Sequence, residues 1–206
     1  MKVITIAARK GGSGKSTIAA SLAVAAAQDG RRVVVLDLDP QKSLAEWYER
    51  RDVEGDRVRY QGRDGAALAN LVPRLEADAD LVVIDTAGDF NAEVTAALRV
   101  SDLCIVPVRA SVLDVTAVAR TVEGLRLLGR RFAFVLSQVM ASSPARAEEA
   151  AAVLIKAGQL APVIVAARAD YQDAMLEGLG VTEYAPAGKA AGEMRDLWTW
   201  TKGELA

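Results

Sequence analysis

Two lysines stand within six residues of each other near the start of the chain, in the run Arg9-Lys10-Gly11-Gly12-Ser13-Gly14-Lys15-Ser16-Thr17. An apolar stretch, Val3-Ile4-Thr5-Ile6-Ala7-Ala8, precedes it, and a helix-like stretch from Ile18 to Gln28 follows. Glycines between a strand and a helix let backbone N–H groups converge on an anion, and the helix N-terminus adds partial positive charge. Lys15 then sits where a cation for β- and γ-phosphates belongs, and Ser16 where a Mg²⁺ hydroxyl ligand belongs. The pattern G-x-x-x-x-G-K-[ST] is not met in full, because Arg9 holds its first glycine position. The second lysine, Lys10, comes immediately after it.

Carboxylates follow at two further strand-like segments. Leu36-Asp37-Leu38-Asp39-Pro40-Gln41 places two of them at i and i+2. Beside a phosphate loop they could hold a metal-bound water and a nucleophilic water; alone they would read as a solvated turn, where Asp and Pro are common. Leu81-Val82-Val83-Ile84-Asp85-Thr86-Ala87-Gly88 is an apolar run ending in Asp, the pattern that presents a carboxylate toward Mg²⁺. Gly88 and Asp89 suit a segment that senses the γ-phosphate. Together these parts point to phosphoryl transfer from a Mg²⁺–nucleoside triphosphate to water, by charge neutralisation and alignment. A cation that arrives only on assembly contributes ~10³–10⁵ in rate, so an isolated subunit is expected to turn over slowly.

The elements that must position these residues alternate along the chain. Apolar strand-length runs lie at Val3–Ala8, Arg32–Leu38, Arg57–Gln61, Leu81–Asp85, Leu103–Val108, Phe132–Ser137 and Val163–Ala166. Helical stretches follow at Lys15–Gln28, Ser43–Arg50, Ala66–Glu76, Ala92–Arg99, Val115–Leu128, Ala145–Ala157, Tyr171–Glu177 and Gly188–Lys202. Continuous apolar runs such as Val33-Val34-Val35-Leu36 mean burial on both faces. The expectation is α/β: a doubly wound, mostly parallel sheet with helices on both faces, as one domain over residues 1–206, with ligands at the carboxyl ends of the strands. The chain has no histidine, which excludes Ser-His-Asp chemistry and His-ligated zinc. Its one cysteine, Cys104, lies in an apolar run and reads as a small buried hydrophobe. A net charge of −2 provides no global field for nucleic acid, so any DNA contact needs a local basic patch. No signal peptide and no uncharged run of about 18–20 apolar residues is seen, and a cytoplasmic location is expected.

Lys10-Gly11-Gly12-Ser13-Gly14-Lys15-Ser16-Thr17 resembles the deviant phosphate loop K-G-G-x-G-K-[ST]-[ST] of the ParA/MinD ATPases. Asp37-Leu38-Asp39-Pro40-Gln41 is similar to the D-x-D-P-Q segment of the ParA branch, and the likeness runs on through Val83–Gly88 and Ser101–Val108. The resemblance implies a small ParA-type ATPase without an N-terminal DNA-binding extension, using ATP and Mg²⁺. It implies that Gly11, Gly12, Ser13 and Gly14 form the phosphate cradle. Lys10 would reach across an ATP-sandwiched homodimer to the partner subunit's nucleotide. Lys15 would hold the β- and γ-phosphates, Ser16 would ligate Mg²⁺ and Thr17 would contact the α-phosphate. Asp39 would position the attacking water, and Asp37 and Asp85 would support the Mg²⁺ shell. The family's adenine contacts come from the loop after the strand at Phe132–Ser137, where Ser137-Gln138 replaces the usual Asn or Arg.

The resemblance also implies nonspecific DNA binding in the ATP-bound, nucleoid-associated state, and a ParB-like or small activator protein that stimulates hydrolysis. Candidate DNA contacts are Arg120, Arg126, Arg130, Arg131, Arg146, Arg168, Lys189, Arg195 and Lys202. The cargo (a plasmid, a chromosome, a chemoreceptor cluster or another body) is not named by any residue. A MinD-like membrane-surface regulator would need a basic amphipathic C-terminal helix. The stretch Met194–Ala206 instead reads as a last packing helix, with Met194, Leu197 and Trp198 facing the core. A metabolic synthetase or an iron–sulfur ATPase on the same fold is the other alternative, the latter needing surface cysteines.

Overall fold

The structure is a computed structural model that describes residues 1–62, 68–88 and 91–206. The expected start of the helix over 66–76, and Asp89 after Gly88, lie outside the described residues. Seven strands form one sheet: β1 (Lys2–Ile6), β2 (Val33–Asp37), β3 (Val58–Gln61), β4 (Leu81–Asp85), β5 (Leu103–Arg109), β6 (Phe132–Val139) and β7 (Gln159–Ala166). Nine helices are described with them: α1 (Lys15–Gln28), α2 (Ser43–Glu49), α3 (Leu68–Arg74), α4 (Ala92–Val100), α5 (Val112–Leu127), α6 (Pro144–Ala157), α7 (Ala169–Leu176), α8 (Val181–Tyr184) and α9 (Lys189–Glu204). The strand order is β3-β2-β4-β1-β5-β6-β7, and every described pairing is parallel.

Alternation along the central strands feeds two faces. Ile4, Ile6, Val33, Val35, Leu81, Val83, Leu103 and Ile105 pack on one face with Ile18 and Leu22 of α1 and Met194, Leu197 and Trp198 of α9. On the other face Val34, Leu36, Val82 and Ile84 meet Leu68, Val72 and Ala97 from α3 and α4. There too, Cys104, Val106, Val108, Phe134 and Leu136 meet Val118, Val122, Leu125 and Leu154 from α5 and α6. Burial of each such Leu, Ile or Val contributes about 1.5–3 kcal/mol, so both layers are needed to hold the sheet. α1 is buried from Ile18 to Ala26, where small alanines let it lie close against the strands.

The chain leaves β1 toward β2 through α1 and leaves β5 toward β6 through α5, while β1 and β5 are neighbours. The crevice at their carboxyl ends is therefore a topological switch point, where open α/β sheets bind ligands. Two element bounds differ from those expected by three residues or more, and the short α8 was not foreseen. β7 begins at Gln159 rather than Val163, because this edge strand is only half-buried and its first half carries Gln159 and Pro162 exposed. α5 begins at Val112 rather than Val115, because Ser111 caps it by accepting from the Asp114 N–H.

Candidate functional site

The loop between β1 and α1 presents an uncapped helix end. Gly14 is the N-cap at φ 87° and Gly12 lies at φ 71°, both left-handed conformations that glycine adopts without strain. Gly14 gives α1 no side-chain cap, and the first internal bond of the helix runs from the Ile18 N–H to the Gly14 carbonyl. The amides of its first turn and the helix dipole thus face the crevice, an arrangement that suits an anion. Lys15 is buried, at 6% exposure, among the residues lining the cleft. Gly88 abuts the same loop: a methyl group there would lie 3.4 Å from the Arg9 carbonyl oxygen and 3.5 Å from the Gly11 nitrogen.

Behind the loop stand the carboxylates. Asp85 is fully buried at the end of β4 and accepts from the Ser16 hydroxyl. Burial pushes its carboxyl up to about 7; the Ser16 hydrogen bond and Lys15 work in the opposite direction, and Asp37 and Asp39 add to the rise. Asp37, level with Asp85 in the sheet register, accepts from the Asp39 N–H at 2.9 Å, the Leu44 N–H at 3.0 Å and the Ala45 N–H at 3.1 Å. Its carboxylate therefore anchors the start of α2 to β2. Asp39, half-buried, accepts from the Gln41 N–H through Oδ1 and lines the cleft.

Lys10 points to an acid within the same chain. Its Nζ lies 2.9 Å from Oδ1 of Asp114, in the first turn of α5. Asp114 is buried and also accepts from Arg109 Nε at 2.7 Å, Arg109 Nη2 at 3.2 Å and the Ser111 hydroxyl at 2.7 Å. Burial alone would raise its carboxyl, but the bonds from Arg109, Lys10 and Ser111 prevail and hold it down at about 2. Arg109 and Asp114 were not among the residues singled out in the sequence. They follow Pro107-Val108 as an ordinary strand-end charge and helix-start acid, and only the adjacency of β1 and β5 brings them to the loop.

The end of β6 grips the loop from the other side. The Ser137 hydroxyl donates to the Ser13 carbonyl at 2.9 Å, and Gln138 Nε2 donates to the Gly12 carbonyl at 2.9 Å. Gln138 thus lies against the loop backbone as well as beside the cleft. The loop, Asp39, Gly88 and Gln138 line an open cleft of about 800 Å³ with Gln172, Met175 and Leu176 of α7. An adjoining pocket of about 480 Å³ shares Gly14, Thr17, Gln138 and Gln172 and extends past Val165, Arg168 and Tyr171.

The nine basic residues noted in the sequence differ in how far their charges are already engaged. Arg131, Arg168 and Lys202 are paired with Glu204, Glu193 and Asp29. Arg126 and Arg195 donate to the Ala157 and Pro186 carbonyls. Arg120, Arg146 and Lys189 are exposed and form no ion pair among the described residues, and Arg130 has a buried Nε without a partner. No helix is long and apolar enough to cross a membrane among the described residues.

A buried strand-end acid, a glycine loop and an uncapped helix on a parallel sheet define the phosphate-binding class of α/β proteins. Residues 4–189 match the CobQ/CobB/MinD/ParA nucleotide binding domain, and the chain belongs to that family. Among curated relatives it is 28% identical to Protein ParA of Rhizobium radiobacter over 153 residues, covering 72% of this chain and 69% of that one. It is 31% identical to the Maintenance of carboxysome distribution protein A of Gloeobacter kilaueensis over 195 residues, covering 93% and 88%. Among solved structures, the septum site-determining protein MinD of Pyrococcus horikoshii OT3, complexed with Mg-ADP, superposes with a TM-score of 0.82 at 20% identity, covering 100% of this chain and 98% of that one.

Proposed function

We propose that this chain is an ATP-driven positioning switch, which dimerises around ATP, binds DNA nonspecifically and hydrolyses ATP when a partner protein stimulates it. One observation carries the reading most directly. The uncapped start of α1, Lys15, the Ser16–Asp85 pair and Asp39 all converge on one cleft. The triphosphate would lie in the loop, and the adjoining pocket between β6, β7 and α7 would take the nucleoside. Names among the relatives, ParA and a carboxysome distribution protein, support a cargo-positioning role.

The donor set fits Mg²⁺ delivered with a nucleotide. Among the described residues no group of three or more Cys, Asp or Glu could cage a metal alone. Mg²⁺ characteristically uses one or two protein oxygens and completes its shell with phosphates and water. Ser16 would be the direct ligand, with Asp85 behind it, and bound Mg²⁺ would supply charge neutralisation on the β- and γ-phosphate oxygens. Asp37, held by three backbone N–H groups, contributes by placing Asp39 and α2 rather than by offering a free oxygen. Asp39 keeps one carboxylate oxygen free of the Gln41 bond and would orient the attacking water. Lys15 would hold the phosphate charge.

Lys10 needs a partner-directed role that the single chain can release. It is 41% exposed, and its departure would leave Asp114 still bound by Arg109 and Ser111. Breaking such a contact is then inexpensive, which suits a lysine that swings to a second subunit's nucleotide. Val112 and Leu113, exposed at 83% and 73% beside Asp114, offer apolar surface for the same subunit contact. DNA would be met by Arg120, Arg126 and Arg146 on α5 and α6, since several other candidates are already neutralised. α9 itself does not serve the membrane-surface alternative, because Met194, Leu197 and Trp198 are buried against the sheet layer.

Steady-state phosphate release tests hydrolysis. Wild-type protein with Mg²⁺–ATP should turn over slowly, and Asp39→Ala should lower that rate at least ~100-fold while ATP still binds, the scale typical for loss of a positioned base. Unchanged turnover in Asp39→Ala would remove Asp39 from the water-positioning role.

A further inference from the structure

Gln138 combines three unusual features at one position. Its backbone φ is 51°, a left-handed conformation that a long side chain adopts at a cost and that only Lys42 shares among the described non-glycine residues. It falls at a register shift between β6 and β7, where Ser137 pairs with Val165 and Val139 with the next residue, Ala166, leaving Gln138 as the extra residue of a bulge. Its amide then reaches 126 residues back along the chain to donate to the Gly12 carbonyl at 2.9 Å. Bulges beside functional sites re-aim side chains, and this one aims Gln138 at the phosphate loop.

The direction of that bond matters. A loop that binds an anion must turn its N–H groups inward, so its carbonyls turn outward and need donors of their own. Two consecutive carbonyls of this loop have them: Ser13 from the Ser137 hydroxyl and Gly12 from Gln138. Gly12 and Gly14, on either side of Ser13, are in the left-handed region, where the peptide planes could otherwise flip and present oxygen to the anion. We infer that Gln138 is a positioning residue for the phosphate chain, fixing the loop in its anion-accepting form before nucleotide arrives. The side chain stays on the Gly12 carbonyl rather than reading the base, although it borders the nucleoside pocket. This rests on the nucleotide-binding reading above, and on neither hydrolysis nor dimerisation.

The test compares ATP with inorganic tripolyphosphate, which has the phosphates without the nucleoside, by competition calorimetry in the presence of Mg²⁺. Gln138→Gly removes the amide and relaxes the φ 51° backbone, so it should fold with a thermal midpoint near wild type. Gln138→Asn keeps an amide and tolerates the left-handed conformation but is one methylene too short to reach Gly12. Both variants should weaken ATP and tripolyphosphate by the same factor, roughly 2–10-fold, the worth of one hydrogen bond. Loss of ATP affinity with tripolyphosphate unchanged would make Gln138 a base contact and overturn the inference. Unchanged affinity for both would also overturn it, reducing the bond to a structural one. Wild-type protein that bound neither ligand would instead overturn the nucleotide-site reading itself.

Discussion

Asp85 is fully buried at the end of β4, where burial pushes its carboxyl up to about 7 from an ordinary 3.8. An acid that keeps its proton in the folded chain but loses it in the unfolded one makes stability fall as pH rises. The window runs from about 4, where the unfolded chain begins to ionise, to about 7, above which both states are charged. In the nucleotide-free protein the thermal midpoint should therefore decline across that range and level off above it, by up to about 4 kcal/mol in stability from Asp85. Asp85→Asn should flatten the slope, and differential scanning calorimetry between pH 4 and 8 measures it. A pH slope left unchanged by Asp85→Asn would show that Asp85 ionises normally. Asp114 behaves in the opposite sense, since Arg109, Lys10 and Ser111 overcome its burial and hold it at about 2. Its contribution is complete above about 4 and is lost as pH falls toward 2. Acid therefore loosens Lys10 from Asp114 only far outside the range in which Asp85 titrates.

At the scale of elements, the site depends on contacts remote from it. Trp47 of α2 is fully buried and donates from Nε1 to the Leu179 carbonyl, while the Arg51 guanidinium lies 5.3 Å from its ring centroid. Arg51 is itself buried at 2% and binds both Asp56 and Glu183, tying the end of α2 and the approach to β3 to α8. Because α2 begins on Asp37, this clamp also steadies Asp39. Arg51→Ala should cost about 3 kcal/mol, the lower end for breaking a buried ion pair, since both acids keep some exposure. Urea unfolding would measure it, and a change below 0.5 kcal/mol, the usual surface value, would place the clamp outside the folding core.

The sequence revealed the parts whose signals are local. Buried central strands read as unbroken apolar runs, and the glycine loop read as an anion cradle. Helix and strand alternation foretold the doubly wound sheet. What it did not reveal depends on the fold bringing distant segments together. Asp114 stands 104 positions after Lys10, and nothing around it marks it as that lysine's partner. The second half of β7 was legible at Val163–Ala166, but its first four residues were not, because Gln159 and Pro162 are exposed and break the apolar run of this edge strand. The resemblance implies a place for Asp37 in the Mg²⁺ shell; its backbone bonds to Asp39 and α2 are a further role, which emerges only from the turn at Pro40.

Across the whole molecule, the switch point between β1 and β5 gathers the phosphate loop, Lys10 and the Arg109–Asp114 pair at one end of the sheet. ATP placed there would meet Lys15 in the cleft, and Lys10 would be free to exchange an internal acid for a second subunit's phosphate. On the proposed function, ATP is the signal for assembly and Lys10 its instrument. Multi-angle light scattering, run with Mg²⁺ on the Asp39→Ala background to slow hydrolysis, measures it most directly. The expected result is a dimer with ATP, a monomer with ADP, and a monomer with ATP once Lys10→Ala is added, while that variant still binds ATP. A monomer in ATP throughout, or an ATP dimer that persists in Lys10→Ala, would contradict it.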